Sequence, residues 1–427
     1  MKKKIAAIFL LCVIACKVDT GRFTNRRNLL GDIDGAYPDD AITKIVNDTD
    51  KIRVALLLPM TGAVKNIGES LLNAAQLSII NNNKKKILLR VYDTNGTTFG
   101  AVKAVNGAIA DGVDVVVGPL LSAETQAIKN IAVRNNLLVF SLSNDQSLAN
   151  ISNVFVTGSI PEQEIQLLIS YLTGSDIHNY VAFLPNNDHG ANINKILRTV
   201  VAGKDGLLIK SDYYDEKEQN TIAKLTDLVN YYEIPQTLYD EYQKKKTEQK
   251  LLGAKGEVQF IIRDDEKIYP QCVFIADGGK KAESLASFLF VVERAGNKIQ
   301  LAGASKLDGD LNILNNPYMD GVIFVGADPK KLDDFYRSYY SAYQSYPVKI
   351  SSMLYDLIDI IDKIYRKTSD GNYFPDKRVL LNPFGFSGID GKFRFLPNGI
   401  VERNLFVLQL LEKNKKVLYN SDEFLNY

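Results

Sequence analysis

Val115-Val116-Val117-Gly118-Pro119-Leu120-Leu121-Ser122-Ala123-Glu124 reads as a strand, a tight turn and the start of a helix. Gly118 and Pro119 end the apolar run, as this residue pair punctuates turns. Upstream, Ile52-Arg53-Val54-Ala55-Leu56-Leu57-Leu58 is a second short apolar run, closed by Pro59 and Gly62. Such runs suit strands buried on both faces of a parallel sheet. Between the two runs the pattern predicts a helix over 66–82, with Ile67, Leu71, Ala74, Ala75 and Leu77 on one side, a strand over 87–92 and a helix over 98–111. The quoted stretch then supplies strand 113–118 and helix 122–134, and strand 137–141 follows. Strand and helix alternating at this rhythm predict a doubly wound α/β lobe.

The rhythm returns further on. Strands are predicted at 179–184, 206–210, 271–276, 298–302 and 321–325, and helices at 190–202, 219–231, 280–295, 331–344 and 349–366. Phe393-Arg394-Phe395-Leu396, the turn Pro397-Asn398-Gly399 and a strand over 403–411 read as a terminal hairpin. A helix–sheet chain of 427 residues is long for one sheet, so two sheets and two lobes are expected. Residues 232–268 interrupt the alternation. Lys244-Lys245-Lys246, Glu248 and Lys250 lie there, and a protruding helix or helical hairpin is expected. Two readings of it are open, a solvated helix and a docking surface.

The first fifty residues differ in kind. Lys2-Lys3-Lys4 precedes an apolar run, Ile5 to Ala15, too short to span a bilayer as a helix. This predicts a secretory signal peptide over 1–15. Val13-Ile14-Ala15-Cys16 resembles a bacterial lipobox, which makes Cys16 the expected lipidation site; the other reading is a plain signal peptide with a chance cysteine. Lys17 stands where an aspartate would favour inner-membrane retention, so a lipid-anchored periplasmic protein of the outer membrane is expected. Residues 16–50 mix Arg, Asn, Asp, Gly and Thr without a hydrophobic period and read as a flexible tether. Net charge is +1, and losing the three leader lysines leaves the basic residues slightly outnumbered by the 50 acidic ones. That balance gives no footprint for nucleic acid. With Cys12 and Cys16 in the leader region, Cys272 is alone in an apolar run, and a buried small hydrophobe is expected there rather than a nucleophile.

Catalytic signatures are absent from the sequence. It holds no GxGxxG, no GxxxxGK[ST] and no GxSxG. Its two histidines, His178 and His189, lack metal-ligand spacing. No enzyme, cofactor or metal is expected. Binding architecture remains. Ser122 stands at a helix N-terminus, where unpaired N–H groups can accept an anion. Phe140-Ser141-Leu142-Ser143-Asn144-Asp145 places more small polar groups at the next strand end. Both lie at the carboxyl ends of strands, where open α/β sheets bind ligands. Ser122 and Ser143 are also common helix N-caps, so capping and ligand binding both stay open.

In order, "VALLLPMTG", "YDTNGT", "VVVGPLLSAET", "VFSLSND" and "IPEQE" resemble the type I periplasmic-binding proteins of the leucine-binding class, over roughly residues 51–412. Within that class the chain is most similar to the penicillin-binding protein activators, lipoproteins that stimulate a peptidoglycan synthase. The resemblance implies an α/β, two-lobed type I periplasmic-binding fold, each lobe a mostly parallel sheet flanked by helices, with three crossovers and the cleft between lobes. Lobe one would hold 51–157 and 325–380. Lobe two would hold 158–324 and 381–412, leaving 413–427 as a tail. By resemblance Ser122 grips a ligand carboxylate, Ser141 and Ser143 assist, and His189 stands where an aromatic residue is usual. Asn144, beside Ser143, and Asp277, in "FIADGG", join the cleft candidates. In amino-acid-binding relatives an acid from the "LAGASKLDG" turn holds the α-ammonium. Here Ser305 falls at that place and Asp308 comes three residues later. An ammonium without that acid would lose a charge-assisted hydrogen bond worth about 1.5–3 kcal/mol. The expected function is a non-catalytic envelope regulator of a peptidoglycan synthase. The alternative is the substrate-binding lipoprotein of an amino-acid ABC transporter, with a permease as partner and a small amino-acid-like ligand. The membrane is reached only through the lipid.

Overall fold

The computed structural model describes residues 51–149, 153–215, 220–251, 262–293, 299–308, 311–369 and 371–420. The signal peptide, Cys16 and the tether lie outside them, as do 252–261 of the charged insertion and 421–427 of the tail. The chain divides into two compact units, and it passes between them at 160/161, 329/330 and 404/405.

The first unit begins with β1 (Ile52–Leu58), α1 (Lys65–Asn81), β2 (Ile87–Asp93), α2 (Thr98–Ala110), β3 (Val115–Val117), α3 (Ser122–Arg134), β4 (Leu138–Ser141) and β5 (Val154–Val156). The five strands form one parallel sheet in the order β2-β1-β3-β4-β5. Strand β1 shows why its sequence is apolar apart from Arg53. Ile52, Val54, Leu56 and Leu58 enter one core, while Ala55 and Leu57 enter the core on the opposite face.

The second unit continues with α4 (Pro161–Thr173), β6 (Asn179–Pro185), α5 (Asp188–Ala202), β7 (Leu207–Tyr214), α6 (Thr221–Val229), α7 (Gln236–Leu251), β8 (Cys272–Ile275), α8 (Gly279–Glu293), β9 (Gln300–Gly303) and β10 (Ile323–Gly326). The same two-sided logic holds: Val181 and Phe183 face one core, Tyr180, Ala182 and Leu184 the other. Cys272 is fully buried, and burial pushes its thiol up, as expected for a small hydrophobe.

The chain then returns to the first unit as α9 (Pro329–Tyr343), α10 (Ser351–Ile364), β11 (Tyr365–Lys367), β12 (Tyr373–Pro375), α11 (Lys377–Leu380), β13 (Phe386–Gly388), β14 (Gly391–Phe395) and β15 (Val401–Arg403). Helix α10 closes one face of the first sheet, burying Leu354, Leu357, Ile358, Ile360, Ile361 and Ile364 against β1 and its neighbours. Finally β16 (Phe406–Leu411) and β17 (Asn414–Asn420) complete the second sheet, in the order β17-β16-β10-β9-β8-β6-β7. Its last two strands run antiparallel.

Two expectations are corrected. Residues 381–404 pack with the first unit, not the second, because β13, β14 and β15 form a small antiparallel sheet whose Phe393, Phe395 and Val401 join the first unit's core. The predicted strand 403–411 is therefore two strands in two units, broken at Asn404. Beyond 412 the chain is not merely a tail, since 414–420 pair with β16.

Candidate functional site

The carboxyl ends of β3 and β4 carry the serines singled out above. Gly118 has φ +102°, and a Cβ there would sit 2.3 Å from the Leu57 carbonyl oxygen, so only glycine lets the chain turn this close to β1. Leu121 caps α3 without a side-chain hydrogen bond. Instead Glu124 reaches back and its Oε2 accepts from the Leu121 N–H at 2.9 Å. Burial raises the Glu124 carboxyl above its ordinary value, while hydrogen bonds from Thr94 and from the Leu121 and Leu120 backbone oppose that shift.

Because Leu121, not Ser122, holds the N-cap position, the capping reading of Ser122 falls. Ser122 is the first helical residue, half-buried, and its Oγ lies 2.7 Å from the Ser143 Oγ. Ser141 is fully buried; its Oγ lies 2.7 Å from Thr125 Oγ1 and accepts from the Ser143 N–H at 3.1 Å. Ser143 Oγ accepts from the Asp145 N–H at 3.0 Å, and Asp145, not Ser143, caps the 3₁₀ turn that follows. Asn144 is exposed. Thr157 extends the network, donating to the Ser141 carbonyl at 2.7 Å and accepting from Arg403 Nη2 at 3.1 Å. The result is a row of hydroxyls fixed by one another on two strand ends and a helix start.

In the second unit the strand ends are charged. Tyr214, at the end of β7, is almost fully buried and donates its hydroxyl to Asp277 Oδ2 at 2.5 Å. Burial and the Asp277 charge both push the phenol up, so it remains a donor. The other Asp277 oxygen pairs with Lys306 Nζ at 3.3 Å. Lys281 Nζ lies 4.4 Å from the Tyr214 ring centroid, a cation–π contact. His189 stands in the first turn of α5; its Nε2 is buried without a hydrogen-bond partner. Burial holds that imidazole below its ordinary value, the Lys306 charge adds to the effect, and the Ala276 backbone and Asp277 charge oppose it.

Ser305 does not stand free. Its Oγ donates to Glu164 Oε1 at 2.6 Å and its N–H to Glu164 Oε2 at 3.1 Å. Asp308 is fully buried, paired with Lys415 Nζ at 2.7 Å and accepting from the Ala327 N–H at 2.9 Å. It is a structural acid, tying β17 to the turn after β9. His178 is exposed and far along the chain from the strand ends that hold His189. Among the described residues no group of three or more His, Cys, Asp or Glu is placed to hold a metal.

Of the residues singled out in the sequence, Ser122, Ser141 and Ser143 come together in the first unit, and His189, Asp277 and Ser305 lie in the second. It missed Tyr214, Lys281 and Lys306, which are brought to Asp277 only by the parallel order of β7, β6, β8 and β9. The one available signal was the turn Asp277-Gly278-Gly279-Lys280-Lys281 itself. Among its described residues the charged insertion carries a helix, α7, with no buried residue. At its base Glu233 and Ile268 exchange backbone hydrogen bonds of 3.0 and 2.9 Å, and Tyr232 packs on Tyr269.

Residues 51–228 match the family model described as periplasmic binding protein. A solved structure of a branched-chain amino acid ABC transporter protein from Rhodospirillum rubrum superposes with a TM-score of 0.65, covering 86% of this chain and 100% of that one at 16% identity. The fold is that of a two-domain periplasmic binding protein. Among curated proteins, the Leu/Ile/Val-binding protein BraC3 of Rhizobium johnstonii is 28% identical over 149 residues, 33% of this chain and 40% of that protein. An uncharacterised protein of Rickettsia prowazekii is 23% identical over 195 residues, 44% of this chain and 52% of its own. The penicillin-binding protein activator LpoA of Histophilus somni is 25% identical over 143 residues, 33% of this chain and 24% of its own. The chain thus spans about half or less of the curated relatives it matches.

Proposed function

We propose that this chain is the solute-binding component of an importer in the cell envelope, a receptor without catalytic chemistry. The hydroxyl row carries the reading. Ser122, Ser141 and Ser143 sit at carboxyl ends of parallel strands, held by Thr125 and by one another. Leu121, not Ser122, is the N-cap of α3, and the Ser122 hydroxyl instead meets that of Ser143. Hydroxyls placed on rigid elements are suited to orient a small polar ligand. Similarity to BraC3 supports the same reading, with a permease as protein partner. Lipidation of Cys16 and a tether over 16–50 would hold the receptor at the membrane.

Thermal unfolding of the purified protein against amino acids and small carboxylates tests the proposal. A ligand at about a hundred times its dissociation constant stabilises by about 2.7 kcal/mol. A melting shift that Ser122→Ala abolishes supports the receptor; no shift with any compound overturns it.

A second reading rests on α7. A sixteen-residue helix with no buried residue gains nothing from the core, and a short helix is marginal alone. As a docking surface for a peptidoglycan synthase it would make the chain an envelope regulator, which similarity to the LpoA activator supports. Loss of binding to a purified synthase on replacing the α7 lysines by glutamate would favour this reading; no binding by the unaltered chain would sink it.

A further inference from the structure

Three acids at the second unit's strand ends, Glu164, Asp277 and Asp308, are engaged. Both Glu164 oxygens accept from Ser305. Asp308 is buried against Lys415 and the Ala327 N–H. Asp277 accepts from Tyr214 through one oxygen and from Lys306 through the other. Around Asp277 stand two lysines. Lys306 has a half-exposed side chain, and Lys281 lies across the Tyr214 ring. One carboxylate against two ammonium groups leaves this cluster cationic.

The cluster is also built rather than adventitious. A Cβ on Gly278 would sit 2.3 Å from the Lys306 carbonyl oxygen, so the turn after β8 and the turn after β9 touch backbone to backbone. That contact fixes Asp277 beside Lys306. A Cβ on Gly190 would sit 1.9 Å from the Pro185 oxygen, which locks the start of α5, and so His189, against the end of β6. The buried His189 Nε2 has no hydrogen-bond partner, an unusual cost for a polar atom in a protein wall. A ligand oxygen or hydroxyl arriving beside it would remove that cost.

We infer that the strand-end face of the second unit is a site for an anionic group, a carboxylate or a phosphate, received by Lys306 and Lys281 with His189 beside them. The inference rests on the receptor reading and gives its ligand a charge: an acid without an α-ammonium. An ammonium placed beside the two lysines would be repelled, and Glu164, Asp277 and Asp308 are already committed to other partners. An oxyanion would meet donors already oriented by Asp277 and the Tyr214 ring, with little ordering left to do.

Calorimetric titration and melting shifts of the whole purified chain test this with five probes: leucine, 4-methylpentanoate (leucine without its ammonium), 3-methylbutylamine (leucine without its carboxylate), succinate and inorganic phosphate. The expected result is binding of 4-methylpentanoate, succinate or phosphate at least tenfold tighter than of leucine, and none of the amine. The carboxylate and phosphate arms separate the two sources of the anion. Lys306→Ala and Lys281→Ala should each weaken the bound anion at least tenfold. Lys280→Ala, an exposed neighbour, should leave it unchanged. Asp277→Asn separates the alternatives directly. An ammonium site loses its ligand with that change, whereas an anion site keeps binding within a few-fold. Tighter binding of leucine or the amine, or anion binding indifferent to both lysine variants, overturns the inference while leaving a receptor. Absence of binding by all five probes overturns the inference, and the receptor reading falls with it if the wider compound panel is also silent.

Discussion

Glu124 shows how a single residue can anchor the start of a helix. Its carboxylate is buried and accepts from the Leu121 N–H, so the N-cap backbone is satisfied without a capping side chain. Glu124→Ala should cost about 1–3 kcal/mol, the range for losing a hydrogen bond to a charged group, read by chemical denaturation. Glu124→Gln keeps an acceptor and should cost less. The pH dependence has a definite sign. Burial raises the folded-state carboxyl above its unfolded value, so the folded protein holds its proton longer. This group's contribution to stability is therefore greatest below the ordinary carboxylate range and is lost as pH rises towards the folded value. Melting curves taken across that window should decline less for Glu124→Gln than for the unaltered chain. Gly118→Ala tests the same corner through the backbone. A Cβ at φ +102° and 2.3 Å from Leu57 forces the turn open, and a loss of about 2 kcal/mol is expected by the same measurement.

At the scale of elements, strands buried on both faces were legible where a longer apolar run marks them. Val115–Val117 and Ile52–Leu58, the latter interrupted only by Arg53, sit within about two residues of where they were predicted. Strand β5, Val154-Phe155-Val156, is equally buried but was not read as a strand. The break at Asn404 was also hidden. Glu402-Arg403-Asn404 interrupts the apolar residues there, but only packing reveals that Val401 and Leu405 serve different cores. The site divides the same way. Serines next to each other in the chain could be read, but a tyrosine, an aspartate and a lysine joined across three strands could not. Two further predictions belong here. Lys415→Met should cost about 3–5 kcal/mol by leaving Asp308 buried without its cation, and Asp308→Asn in the same chain should recover part of it. By contrast, alanine at Lys244, Lys245 or Lys246 in α7 should move stability by less than about 0.5 kcal/mol, since none of them packs on the protein.

On the scale of the whole molecule, the decisive feature is that the first unit is written in two separated stretches. Its N-terminal sheet is complete at β5, yet one face of that sheet is covered by α10, which comes only after β10. Leu357→Ala should therefore destabilise the first unit by about 2–5 kcal/mol, although it lies some three hundred residues from β1 in the chain. This can be followed by hydrogen exchange in β1 and β3. The near-neutral charge of the chain contributes nothing to that order. The order has a consequence for biosynthesis. As the polypeptide emerges, Ile52, Val54, Leu56 and Leu58 have only α1, through Leu71 and Ala75, on their face of the sheet until α10 has been made. During that interval the nascent chain presents a row of aliphatic side chains to whatever surrounds it. Chaperone dependence should accordingly concentrate in the first half of translation and end abruptly once α10 has been delivered.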